Sequence, residues 1–252
     1  MLRTGNLYLK CIVSFICLFA LYHTAEYLIM FKNSIPGFFG FQILFFLCAY
    51  FFGNWVSAEG FSTWGLPFNK KVWLQLLIGV VFGIALYSTS LFLSIKLGSE
   101  QVTAVPDFLK IIKSSLPFAF GVIFTSLSED ILTRGIVFRL FHSKLNTISI
   151  VFISSTIYLL NHIYRLADGA ETLTYLFLLG VIFVIPLIVT KRLWFTGAMH
   201  WAGNTFFFIS HSVIETKSMA GIISPNHIFA LCILAFIPII NIVSKNIPDY
   251  TD

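Results

Sequence analysis

Apolar runs of about 20 residues recur along this chain, separated by short polar connections, and that pattern leaves few folds open. Inside hydrocarbon every backbone N–H and C=O must find a partner within the protein, so such runs fold as helices that pack into a bundle. Eight runs qualify by apolar length and flanking charge: residues 8–30, 38–56, 72–95, 114–141, 147–165, 172–190, 193–213 and 226–244. The expected class is all-α, a polytopic membrane helix bundle of about eight transmembrane helices, forming a single integral membrane domain over residues 1–252. Composition supports lipid as the main solvent: 58% of the residues are hydrophobic and only 11% are charged, about half the charge of a soluble domain.

The net charge of +5 comes from basic residues placed singly or in pairs between apolar runs, not from a basic tract, which argues against nucleic-acid binding. Their placement sets an orientation instead. Arg3, Lys10, Lys70, Lys71, Arg139, Lys144, Lys191, Arg192 and Lys245 fall on one side. Lys32, Lys96, Lys110, Lys113, Arg165 and Lys217 fall on the other. Nine against six puts both termini in the cytoplasm of a cytoplasmic membrane. The first run is too long for a signal-peptide core and lacks a small-residue cleavage site, so it reads as a retained span. Cys11, Cys17, Cys48 and Cys232 lie within apolar runs without C-x-x-C spacing and read as packing residues. Gly79 and Gly83 offer a small-xxx-small face for close helix packing. Residues 97–113 form the most polar connection and read as an interfacial loop or short surface helix. His23, His142, His211 and His227 sit near run ends without a partner at useful spacing and read as interfacial.

Six polar residues interrupt the runs at helical spacings. Each must be paired, hydrated or used, because an unpaired polar group in hydrocarbon costs several kcal/mol. Asp130 and Arg134 are four apart and share a helix face, so they pair, while Glu129 points about 100° away. Tyr158 and His162 share a face late in the fifth run. His200 and Asn204 share a face in the seventh, where two donors aimed at one oxygen would make an oxyanion site. Each pattern also fits a structural ion pair, an interfacial anchor or an inter-helix hydrogen bond.

In order and spacing, Glu129-Asp130-x-x-x-Arg134, Tyr158-x-x-x-His162 and His200-x-x-x-Asn204 resemble the signature of the CPBP intramembrane proteases. That family is also called Abi or type II CAAX prenyl endopeptidase-like, and its pattern is E-E-x-x-x-R, F-x-x-x-H and H-x-x-x-N. The motif-bearing core spans residues 113–213, with Trp64-Gly65-Leu66 a further point of likeness. Asp130 stands where the family has a second glutamate, and Tyr158 where it has phenylalanine.

The resemblance implies peptide-bond hydrolysis within the membrane on a hydrophobic or lipidated peptide or a membrane-protein substrate. Glu129, assisted by His162, would take a proton from water. His200 and Asn204 would stabilise the oxyanion, and Asp130 and Arg134 would support the helix. No metal is required by this chemistry, although Glu129, His162 and His200 would also serve as three zinc ligands. The alternative is a non-catalytic scaffold or transporter-like binding protein built around the same cluster. Counting along the runs puts His162 near the outer end of its helix and His200 nearer the inner end, about 15 Å apart in depth.

Overall fold

The computed structural model describes residues 4–69 and 72–247, with side chains described from Leu7 onward. Arg3, Lys70 and Lys71, which enter the charge count, lie outside them. The long helices are α1 (Thr4–Lys32), α2 (Ile35–Ser57), α3 (Val72–Lys96), α4 (Phe108–Asp130), α7 (Ala170–Thr190) and α9 (Pro225–Asn246). α4 continues through a π-helical turn, Ile131–Gly135, into the short α5 (Ile136–Phe141). α6 (Thr147–Asn161) and α8 (Trp194–Phe208) complete the bundle, and α8 also runs into a π-helical turn, Ile209–Val213. Caps define several starts. Ser34 accepts from the Gly37 amide, Asp107 from Lys110 and Asn146 from Ser149, each satisfying a backbone donor that a helix N-terminus leaves unpaired.

All eight apolar runs are helical, and the class is an all-α polytopic bundle. Among the described residues, six helices are long and apolar enough to cross a membrane. α6 differs from the expected 147–165 span: it stops at Asn161 after 15 residues. That is about 22 Å of helix against roughly 30 Å of hydrocarbon. The stop places the C-terminus of α6 inside the bundle.

The connection at 97–113 also departs from expectation. Residues Glu100–Ala104 form β1, which pairs antiparallel with β2 (Glu215–Ser218), Glu100 opposite Ser218. α4 then starts at Phe108, capped by Asp107. The ribbon links the α3–α4 connection to the α8–α9 connection.

Gly79 and Gly83 do bring helices together. α3 lies directly on α8, and a Cβ at Gly83 would stand 3.0 Å from that of Ala202, so only hydrogen permits this approach. The other side of α8 packs on α4, where the missing side chain of Gly197 makes room for Leu127. α8 is thus held by close contact on two faces. The core forms two clusters. One, including Tyr158, Leu176, Phe183, Phe195 and Met199, lies among α3, α6, α7, α8 and α9. The other joins α1 and α2 to Trp64, Ile131 and Leu193. Trp64 is buried and donates to Ala49 O at 2.8 Å, while Gly65 O accepts from Leu193 N at 2.7 Å, which ties the α2–α3 connection to the start of α8. Cys11 and Cys232 belong to these clusters as packing residues. Outward positions such as Phe51, Trp73, Ile148 and Phe152 are exposed, the inside-out pattern of a bundle solvated by lipid.

Candidate active site

Glu129 and Asp130 end the regular part of α4, and the π-helical turn follows at once. An inserted π turn is common at functional sites because it redirects adjacent side chains. Here both carboxylates face the bundle interior. Glu129 is 5% exposed and Asp130 fully buried.

Asp130 forms the expected ion pair with Arg134, and both side chains are fully buried. The guanidinium also donates to Thr133 Oγ1 at 3.0 Å. Its carbon lies 4.5 Å from the centre of the Tyr158 ring and 5.1 Å from that of Phe183. Stacking between aromatic faces suits arginine, which is weakly hydrated and planar. The tyrosine that stands in the family's phenylalanine position therefore offers its ring to Arg134.

The end of α6 and the middle of α8 converge on Glu129 of α4. Asn161, the last residue of α6, donates to Oε1 at 2.9 Å. His162 follows it out of the helix, its Nδ1 3.6 Å from Oε1. His200 in α8 turns Nε2 to Oε2 at 3.4 Å and Nδ1 to Asp130 Oδ1 at 3.2 Å. The expected 15 Å offset is absent: both imidazoles lie within 3.6 Å of the same carboxylate. His162 Nδ1 lies 2.8 Å from Tyr158 O. That carbonyl can only accept, so Nδ1 carries the proton and Nε2 is the basic edge.

A cavity of about 300 Å³ opens beside this cluster. Tyr158, His162 and Asn204 line it, and at the ribbon end so do Glu100 and His211. Glu129 and His200 stand behind His162 and are not among the lining residues. Asn204, one turn along α8 from His200, faces the cavity, whereas His200 lies between the two carboxylates. Arg165 is the one lysine or arginine among the described lining residues. It donates to Tyr175 Oη at 2.6 Å and Asp168 Oδ2 at 3.0 Å.

Among the described residues no group of three His, Cys, Asp or Glu side chains is arranged to hold a metal ion.

Asn161 escaped the sequence reading, although it immediately precedes His162. The peripheral histidines also have partners. His211 Nε2 lies 3.0 Å from Glu100 across the ribbon, His23 Nδ1 is 2.9 Å from Glu26, and His227 Nδ1 is 3.0 Å from Ser224 Oγ. His142 back-bonds to Phe138 O at 2.9 Å. His23 was expected to lack a partner at useful spacing, and its i, i+3 pair with Glu26 corrects that; the His211–Glu100 pair joins segments 111 residues apart.

Comparison with known proteins gives a family match. Residues 112–206 match the model described as type II CAAX prenyl endopeptidase Rce1-like. No curated protein and no solved structure matches the chain.

Proposed function

From the match of residues 112–206 to the Rce1-like type II CAAX prenyl endopeptidase model, we propose that this chain is an intramembrane endopeptidase of that family that hydrolyses a peptide bond with water activated by Glu129 and His162. The observation that carries this reading is the meeting of Glu129 on α4, His162 just past the end of α6 and His200 on α8, with both imidazoles within 3.6 Å of one carboxylate beside a cavity.

Water enters the cavity at His162. The basic Nε2 edge takes its proton, and Glu129 stabilises the imidazolium through the Nδ1 side, so the carboxylate and imidazole act as one base. The hydroxide attacks the scissile carbonyl. Asn204 donates from the cavity wall to the developing oxyanion. His200, with one nitrogen toward Glu129 and the other toward Asp130, holds the two carboxylates in place. The imidazolium of His162 then returns its proton to the leaving amine. Asp130 and Arg134 neutralise one another and hold α4 in register, so aspartate serves as well as glutamate in that supporting place.

The substrate is a hydrophobic or lipidated peptide. Leu176, Leu179, Phe206 and Phe229 give the cavity apolar walls, and Arg165 offers a positive charge to a peptide's terminal carboxylate. The test is peptide cleavage by the purified chain in lipid nanodiscs, with products mapped by mass spectrometry. The reading expects a single internal cut in peptides with an apolar C-terminal segment. Binding without cleavage across lipidated and unlipidated peptides would favour the scaffold or transporter-like alternative.

A further inference from the structure

We propose that Asn161 is the positioning residue that sets the orientation of the Glu129 carboxylate, an inference that rests on Glu129 acting in catalysis. Its side-chain amide lies 2.9 Å from that carboxylate, against 3.4 Å for His200 and 3.6 Å for His162. Asn161 is 3% exposed, so water does not compete for the donor.

The chemistry of an amide differs from that of the two histidines in one respect. Both imidazoles change charge as protons move during a reaction cycle, and their attraction to Glu129 rises and falls with them. The amide neither gains nor loses a proton. With Oε1 tied to Asn161, the carboxylate plane is fixed and Oε2 is directed at His200 throughout the cycle. Without that tie, a buried carboxylate between two imidazoles turns toward whichever carries the charge.

The fold supplies the placement. α6 ends at Asn161, and the chain leaves the helix with His162 at φ −84° and ψ 53°. Adjacent residues thus reach the same carboxylate from one helix end, the amide to Oε1 and the imidazole beside it.

The experiment uses the full chain in nanodiscs with Asn161→Ala, Asn161→Ser and Glu129→Gln variants. Three quantities are read: peptide-cleavage kinetics, thermal unfolding, and the Glu129 carboxylate stretch isolated as the infrared difference between each protein and its Glu129→Gln counterpart. Removing a hydrogen bond to a carboxylate should lower kcat about 10- to 100-fold. KM should stay within about threefold of the parent value, since the interaction lost is one to the catalytic group and not to bound substrate, and the carboxylate band should move. Asn161→Ser, which keeps a donor, should recover part of both kcat and band position. It also serves as the test variant if the alanine form does not fold. A folded variant without a donor that keeps its kcat and band overturns the inference, as does a kcat loss with an unmoved band. Full activity in Glu129→Gln overturns the catalytic reading of Glu129 instead, so the two failures are distinguishable.

Discussion

Replacing Arg134 by methionine should destabilise the protein by about 3–5 kcal/mol, the usual cost of removing one partner from a buried ion pair. The structure explains why the upper part of that range is reasonable. Asp130 and Arg134 are both fully buried, so neither charge has water as a substitute. Once the guanidinium is gone, Asp130 keeps only His200 at 3.2 Å, and its Oδ2 already lacks a hydrogen-bond partner. Asp130→Asn should have an effect of similar size, because it strands a guanidinium between the Tyr158 and Phe183 rings. The double variant Asp130→Asn/Arg134→Met removes both charges and keeps most of the volume. It should recover most of the loss, leaving a coupling energy of several kcal/mol in a double-mutant cycle. Reversible unfolding in mixed micelles, measured for all four proteins, checks this. Single losses below about 1 kcal/mol, the range of an exposed pair, with no coupling would show that the pair does not neutralise a buried charge.

Gly83→Val should wedge α3 from α8, where Ala202 Cβ would lie 3.0 Å from the new Cβ, costing about 1–3 kcal/mol of stability. Because His200 moves with α8, activity should fall further than stability alone accounts for; Gly40→Val, with nothing within 4 Å, is the control. Arg165→Met should raise KM for a peptide with a free terminal carboxylate and leave the corresponding C-terminal amide unaffected, whereas equal losses for both peptides would remove Arg165 from substrate recognition. Cleavage should survive chelation, and purified protein should hold less than stoichiometric metal; a stoichiometric zinc ion required for activity would contradict the metal-free chemistry.

The parts of this structure that were legible in the sequence depend on short-range geometry. The i, i+4 spacing of Asp130 and Arg134 dictated their pair, and Gly79 with Gly83 marked a close helix contact. Apolar run length located every long helix. What was not legible depends on where helices end and which segments meet. α6 ends at Asn161, short of the expected 165, and the way the helices pack brings His162 and His200 to one carboxylate where counting along the runs had set them about 15 Å apart. The π-helical turn after Asp130 has no spacing signal, since its sequence continues the apolar run. The ribbon joins short segments distant in sequence, too brief for a period-2 pattern to stand out. Asn161 was hidden for a chemical reason: an amide at a helix end is ordinary, and only the position of Glu129 makes it functional.

Whether Glu129 belongs to the base that activates water is decided by the single-turnover cleavage rate of Glu129→Gln in nanodiscs, read beside its thermal unfolding. The substituted amide keeps the shape of the side chain and an oxygen for Asn161, so the unfolding temperature should stay close to that of the parent protein. The cleavage rate should fall about 10²- to 10⁴-fold, the contribution typical of a positioned general base. A folded Glu129→Gln protein that cleaves at the parent rate would mean that water is activated without this carboxylate.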